Sequence, residues 1–514
     1  MRSQQPLDRR QWAGLLAMVA GMFIAILDIQ IVAASLTDIQ AGLAASPDEA
    51  SWVQTSYLVA EVVMIPLSSW LSRLLSTRVL FVVSALGFTL FSLACAGAST
   101  MDQMILFRAG QGFFGGAMIP TVFATIFLVF TGTQLARMSM LVGIAATMAP
   151  TIGPSLGGWL TANYSWHWLF VINVPLGLMI AVMVWTSVDI DRPDWSLRRT
   201  LDLPGVLAMA LFLGSLQYVL EQGSRWGWLE DERIAWAGVI CAVSGVVFVM
   251  RMLTQRDPTV DLRAFANPSF ALGSLFSFVL GIGLYGSSYL VPLFLSRVRG
   301  YDSLQIGETM FVAGIAMLLG TPLAGWLMQR MDLRVVLGIG LTMFGISLWW
   351  MGTLTTNSGF ADFIAPQALR GAAVLFVMLP TNQIALGRLP PHCLKNASGL
   401  YNLMRNLGGA FGLAAIDTVS TWRLAQHRSH LLEQVTWVRP IASETIDSMT
   451  QMFAAAKSGD AYRAALSYVA KLVQQQALTL TCNDVLLLMA GCFLLAAPLI
   501  LLVSKPVGRL NVEV

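Results

Sequence analysis

The sequence predicts an all-α integral membrane protein of about fourteen transmembrane helices, and three observations predict it. Of 514 residues, 56% are hydrophobic and only 11% charged, where an ordinary soluble domain carries about 25% charged residues. Apolar stretches recur along the whole chain, each near the ~20 residues that cross a hydrocarbon core about 30 Å thick. Most of them are apolar all round, which leaves no wet face for a soluble amphipathic helix.

In chain order, the first six spans are Trp12–Val32, Trp52–Leu71, Val79–Ala98, Met104–Phe130, Met138–Leu160 and Trp168–Val188. Spans 7 and 8 are Leu203–Leu220 and Ile234–Met252. Spans 9 to 14 are Phe270–Leu295, Gln305–Met328, Val335–Thr353, Phe363–Leu386, Ser398–Val419 and Ala477–Val503. Short polar breaks separate them, except for a long segment, Thr421–Gln476, that mixes charges with helical stretches such as Ala461–Gln475. Span 1 does not read as a cleavable signal peptide, because its apolar run is too long, it carries Asp28 and no small-residue cleavage site follows.

Charge sets the orientation. Cytoplasmic loops carry an excess of Lys and Arg. The side that holds both ends of the chain has eighteen of them, from Arg2, Arg9 and Arg10 through Arg73, Arg137, Arg256 and Arg388 to Lys505 and Arg509. The short loops opposite have four, Arg225, Arg233, Arg297 and Arg299. Both termini are therefore expected in the cytoplasm of a bacterial cell, with Gly459 in the long segment on the periplasmic side of the inner membrane. This asymmetry accounts for the net charge of +3 without a nucleic-acid partner.

Neither the five cysteines nor the four histidines fall at metal-ligand spacing, so no metal site is expected. Nucleophile–base pairs and phosphate-cradling loops are also missing from the sequence, which argues against an enzyme and against ATP as the energy source.

The chain repeats itself weakly. Pro66-Leu67-Ser68-Ser69-Trp70-Leu71 with Arg78-Val79 aligns with Pro322-Leu323-Ala324-Gly325-Trp326-Leu327 with Arg334-Val335 at an offset of 256. Met118-Ile119-Pro120-Thr121 aligns with Met378-Leu379-Pro380-Thr381 at an offset of 260, and Arg108 with Arg370 at 262. Spans 1–6 thus recur as spans 9–14. The division is residues 1–190, an inserted pair of helices at 191–265, and residues 266–514. Repeated helix bundles that rock about a shared site are typical of secondary transporters.

Charged residues inside a bilayer are costly and are functional candidates by default. Asp28, Glu61, Arg108, Arg370 and Arg405 are the clearest. From the helix rise, Asp28 lies about 24 Å from the cytoplasmic side and Arg108 about 6 Å below the opposite surface, so the two share a level in a core of about 30 Å. Glu61 falls about 15 Å into span 2, near the midplane. It can carry coupling protons or neutralise a cationic substrate, or it can simply pair with a nearby arginine or hydroxyl. In span 5, Pro150 and Pro154, and Gly153 and Gly157, are four apart and share a helix face. That face permits close helix approach, and its prolines bend the helix.

Several of these motifs together resemble the fourteen-helix drug:proton antiporter branch of the major facilitator superfamily, the EmrB-like exporters. They are Leu27-Asp28 with Ile31-Val32; Trp52-Val53-Gln54-Thr55-Ser56-Tyr57; and Arg108-Ala109-Gly110-Gln111-Gly112-Phe113-Phe114-Gly115-Gly116. Three more follow: Ala149-Pro150-Thr151-Ile152-Gly153-Pro154-Ser155-Leu156-Gly157-Gly158; Asn173-Val174-Pro175-Leu176-Gly177; and Asn402, Arg405 and Leu407-Gly408-Gly409-Ala410. The chain departs from that pattern at Gln30, Ala33 and Glu61. It departs also in the loop Ser69–Arg78, which lacks the family's glycines and acidic residue and so its usual gating chemistry.

The resemblance implies a major facilitator fold, two six-helix bundles plus two inserted helices, with alternating access. It places spans 1 and 4 side by side, which makes an Asp28–Arg108 pair a coupling element if it moves and a structural ion pair if it does not. It implies proton coupling at Asp28, Glu61 and Arg108, a substrate cavity at Gln30, Gln111, Arg370, Asn402 and Arg405, and a gate at Pro150, Gly153, Pro154, Gly157 and Gly158. No cofactor is implied beyond a proton gradient. The expected substrates are hydrophobic or amphipathic small molecules, and the lipid bilayer is the other partner. A dedicated exporter of one metabolite, such as a siderophore or an organic acid, is the alternative. In Gram-negative relatives Thr421–Gln476 faces a periplasmic membrane-fusion adaptor leading to an outer-membrane channel; a solvated loop with no partner is the other reading.

Overall fold

The computed structural model describes residues 8–255, 258–387, 389–436, 439–455 and 460–503. Arg2, Arg256, Arg388, Lys505 and Arg509 of the charge count lie outside the described residues, as does Gly459. Every regular element among the described residues is helical. Twelve helices are long and apolar enough to cross a membrane on composition alone, and a bent pair, Gln134–Pro150 and Ile152–Asn163, supplies a thirteenth.

The remaining predicted span, Ser398–Val419, lies within one helix, Pro391–Gln434. Asn402, Arg405, Asn406 and Asp417 make it too polar to pass on composition. Packing makes it a span, since it sits among spans 2, 4, 9 and 14, and polar side chains survive at membrane depth when they face protein rather than lipid.

Local chemistry sets the helix ends. Ser46 and Glu49 form a reciprocal cap at the start of span 2, with Ser46 N donating to Glu49 Oε2 at 2.8 Å and Glu49 N to Ser46 Oγ at 3.2 Å. Asn267 Oδ1 accepts from Ser269 N at 3.0 Å at the start of span 9, and Asp302 with Gln305 repeats the reciprocal cap before span 10. Such caps satisfy donors that a helix start leaves unpaired. Span 5 bends by 44° between Pro150 and Ile152, where proline removes a backbone donor. Span 4 is two segments, Met101–Gly115 and Met118–Val129.

The inserted pair forms a hairpin pinned at its base. Arg251 donates from Nε and Nη2 to the two oxygens of Asp202, at 3.1 and 2.7 Å. Span 7 sits over the seam between spans 2 and 13. Gln222 Nε2 donates to Thr55 Oγ1 of span 2 at 2.9 Å, and Trp228 Nε1, just past span 7, donates to Thr418 Oγ1 of span 13 at 3.2 Å. Span 8 packs chiefly on span 7 and turns Val243, Val246 and Met250 outward.

The segment Thr421–Gln476 is not a loop with helical patches. The 44-residue helix of span 13 runs on to Gln434, Pro440–Ala455 follows, and Ala461–Ala496 returns directly into span 14. At about 1.5 Å per residue that helix is about 66 Å long, twice the hydrocarbon thickness. Its exit is tied down where Asp484 Oδ2 accepts from Arg423 Nε at 2.6 Å and contacts His427 Nε2 at 2.7 Å.

One close approach occurs in both repeats. A side chain on Gly112 of span 4 would run into the Tyr57 carbonyl of span 2, and one on Gly371 of span 12 into the Ala313 carbonyl of span 10. Tyr57 and Ala313 are 256 residues apart, the offset of the sequence repeat. Gly112→Val should therefore separate spans 2 and 4 and destabilise the fold by about 1–3 kcal/mol, the usual cost of overpacking a filled core. A melting curve of the purified variant checks this, and an unchanged midpoint would mean that the crossing is loose.

Candidate functional site

Spans 1, 3, 4 and 6 bring polar side chains to one point, and span 2 adds a backbone carbonyl and an aromatic ring. Asp28 on span 1 is 1% exposed and Arg108 on span 4 is fully buried. Arg108 Nη1 donates to Asp28 Oδ2 at 2.6 Å and to Gln111 Oε1 at 2.5 Å, while Nε donates to the Val53 carbonyl at 3.1 Å. The guanidinium lies over the Tyr57 ring, 4.3 Å from its centre. Gly112, one turn past Arg108, lets span 4 come close enough to span 2 for both contacts. Asp28 Oδ1 accepts from Gln111 Nε2 at 3.0 Å and Asn173 Nδ2 at 2.7 Å, and both amides also donate to Ser92 Oγ, at 2.5 and 3.1 Å. Both charges are thus paired and hydrogen-bonded, as burial in a low-dielectric interior requires. Every partner belongs to spans 1–6.

Glu61 has a different setting. Its carboxylate, 2% exposed, interacts electrostatically with the side chains of Asn406 and Arg405, both on span 13. A small central cavity of about 30 Å³ adjoins them, lined by Ile26, Gln30, Thr147, Pro150, Tyr285, Ser288, Met378, Arg405 and Asn406 among others. Spans 1, 4, 5, 9, 12 and 13 all contribute to that lining. Its volume is about one water molecule's share of liquid, far below the 300–1,000 Å³ of ligand pockets, so a substrate needs it widened. A larger cleft of about 410 Å³ lies between spans 7 and 8, but its walls, including Phe212, Gly245, Val246 and Met250, are apolar and face the membrane; no polar chemistry is located there.

The predicted cavity residues divide. Gln30 and Arg405 line the cavity. Gln111 belongs to the Asp28 cluster. Asn402 supports the cavity wall, its Oδ1 accepting from Arg405 Nη2 at 2.6 Å. Arg370 lies away from the lining, its Nε donating to Gln367 Oε1 at 2.7 Å and its Nη1 to Ser287 Oγ at 2.6 Å. The Pro-Gly motif of span 5 lies against span 1: side chains on Gly153 and Gly157 would meet Gln30 and the Ile31 backbone, and Pro150 borders the cavity. Gly158 is half-buried on the same helix.

The halves also meet at the face where span 1 begins. The turn between spans 2 and 3 holds Ser76 at φ +83°, a strained conformation for a residue with a side chain. Asp191, just past span 6, clamps it, accepting from Thr77 N at 2.9 Å and Thr77 Oγ1 at 3.1 Å. The same carboxylate pairs with Lys395 at the start of span 13, whose ammonium also donates to the Ser72 carbonyl at 3.0 Å. Burial pushes the Lys395 ammonium below its ordinary value, and Asp191 pulls it back. Close by, Ser398 Oγ donates to the Pro120 carbonyl at 2.8 Å. The acid missing from the loop Ser69–Arg78 is thus replaced from another loop.

Sequence reasoning overlooked Asp191, Lys395, Ser92, Asn406 and Tyr285. Asn173 lay in a quoted motif without an assigned role. Lone polar residues in apolar runs were the available signal for Ser92, Asn173 and Asn406. Nothing in the sequence linked Asp191 to a residue 204 positions away.

The profile of the Major Facilitator Superfamily matches residues 18–413. The chain belongs to that superfamily. It is 40% identical, over 93% of both chains, to the colistin resistance protein EmrB of Acinetobacter baumannii. It is 28% identical to the multidrug export protein EmrB of Escherichia coli K12, over 99% of this chain and 98% of that one. Among solved structures, the proton:xylose symporter XylE shares the fold with a TM-score of 0.61 at 12% identity, over 96% of each chain. The protein is an EmrB-like major facilitator transporter, and not an enzyme.

Removing one member of the Asp28–Arg108 pair leaves the other charge buried alone, which costs about 3–5 kcal/mol. Arg108→Ala should lower the melting temperature sharply, and the Asp28→Asn, Arg108→Ala double variant should recover part of the loss. Melting curves of the unaltered protein, Arg108→Ala, Asp28→Asn and the double variant test this. Strictly additive losses would mean that the pair is not coupled.

Proposed function

We propose that the chain is a multidrug efflux antiporter, exporting hydrophobic and amphipathic small molecules in exchange for protons by rocking two halves about the central cavity. The halves are residues 1–190 and 266–514, with the insertion at 191–265 laid over one seam. The reading rests on Glu61. Its partners, Asn406 and Arg405, belong to the other half, so its surroundings change whenever the halves move. Asp28, Arg108, Gln111 and Asn173 all belong to the first half, and rigid rocking keeps them together. Glu61 is therefore the site that takes up and releases the coupled proton, and the Asp28–Arg108 cluster holds the first half rigid around it. The names of the EmrB relatives support the substrate class.

Both termini lie in the cytoplasm in this reading, in a bacterial inner membrane, and the Lys395–Asp191 pair closes the cytoplasmic face. The helical extension 421–476 then stands in the periplasm, where Ile441 and Met452 offer exposed apolar side chains to a membrane-fusion adaptor. The proton gradient is the energy source and no cofactor takes part.

Expression in a pump-deficient host should raise tolerance to hydrophobic toxicants, and an uncoupler should remove the gain. Glu61→Gln should retain substrate binding and abolish both active export and proton release on binding. Asp28→Asn should lose stability first. Proton release by Glu61→Gln equal to that of the unaltered protein would assign coupling elsewhere, and tolerance to one compound alone would favour a dedicated exporter.

Lys395→Gln breaks the cytoplasmic pair and should shift the protein toward the inward-open form. A thiol probe at Ser398→Cys, in a cysteine-free background, should then react several-fold faster from the cytoplasmic side. Equal rates would show that the pair does not hold the face shut.

A further inference from the structure

The two repeats treat their buried arginines differently. Arg108 and Arg370 are related by an offset of 262, and Asp28 and Ser287 by 259, within the spread set by the repeat. In each half, Nη1 of the arginine donates across to the span that opens that half, at 2.6 Å in both cases. The acceptor is a carboxylate in the first half and a serine hydroxyl in the second. Ser287 Oγ in turn donates a hydrogen bond to the Gly283 carbonyl at 2.6 Å.

Arg370 is 4% exposed, and no carboxylate pairs with it among the described residues. Its other acceptor, Gln367, is neutral, and its Nη2, like that of Arg108, makes no hydrogen bond within the described residues. A guanidinium keeps its charge in proteins, and a cation at membrane depth without a counter-charge is costly. Ser288, next to Ser287, lines the central cavity. Arg370 is thus bonded to a residue that adjoins the lining, while Arg370, Ser287 and Gln367 themselves are not part of it.

We propose that Arg370, with Ser287 and Gln367, is an anion-binding station that takes the carboxylate of an amphipathic substrate in the place that Asp28 fills in the first half. This deepens the export reading and rests on it. The free Nη2 and the Nη1 together offer the two-point fork that carboxylates favour. The tail of the substrate would lie in the widened cavity.

Ser287→Asp tests this by restoring the missing charge. Purified protein is titrated with two fluorescent probes of similar ring system and opposite head, 4-(1-pyrenyl)butanoate and (1-pyrenylmethyl)trimethylammonium. The reading is the ratio of their affinities. Ser287→Asp should lower the ratio of anion to cation by about tenfold or more, a charge-assisted hydrogen bond's contribution. It should also melt no lower than the unaltered protein, because the new carboxylate pairs with Arg370. Arg370→Gln should lower the ratio similarly, and Arg370→Lys should restore part of it. A ratio unchanged in Ser287→Asp, or equal affinities in the unaltered protein, would overturn the anion station. Uncoupler-sensitive export of the cationic probe, measured alongside, separates that failure from failure of the export reading itself.

Discussion

A charge or an unpaired amide inside hydrocarbon has no water to fall back on, and that constraint organises this protein. Arg108 meets it with most of its guanidinium, although its buried Nη2 makes no hydrogen bond within the described residues. Its guanidinium binds Asp28, Gln111 and the Val53 carbonyl and lies over Tyr57, so spans 1, 2 and 4 must hold their register for any of these contacts to exist. Ser92 and Asn173 extend the same requirement to spans 3 and 6. Gly112 makes the geometry possible by letting two backbones meet. Without that glycine the arginine could not reach span 2, and without the arginine the aspartate would be buried alone.

The same constraint separates rigid from mobile parts. A cluster whose members all belong to one half is a reason for that half to move as a unit, since breaking it in hydrocarbon costs several kcal/mol. Groups that face each other across the seam are different. In the proposed rocking motion, the Glu61–Asn406 contact and the Lys395–Asp191 pair would be exchanged for water or substrate, because opening the seam supplies the solvent that closing removes. The small closed cavity and the bend of span 5 beside it belong to this second class. Span 7 sits over one seam, and span 8 packs chiefly on span 7.

Membrane class, most of the span count and the repeat were legible in the sequence because each follows from local composition or from residue order. Span 13 shows where composition runs out: a helix that crosses among other helices can carry Asn402, Arg405 and Asn406, and only its neighbours reveal that it crosses. The extension after it was legible as polar and partly helical, but its continuity with spans 13 and 14 was not, since helix length beyond the membrane is set by contacts such as Arg423 with Asp484.

For the candidate site, the sequence by itself determined which residues had to be accounted for. Asp28, Glu61, Arg108, Arg370 and Arg405 are conspicuous because ionisable groups are rare in apolar runs, and helix rise alone placed Asp28 and Arg108 at one level. Tertiary structure decided their partners. Two charges at equal depth can pair only if their helices are adjacent and their side chains converge, and depth carries no information about rotation around a helix axis. That rotation turned Gln111 into the Asp28 cluster, set Arg370 against Gln367 and Ser287 outside the cavity lining and aimed Glu61 at the opposite half. It also brought Asp191 to Lys395 across the whole chain, a pairing that no local pattern records because the two residues meet only once the helices have packed.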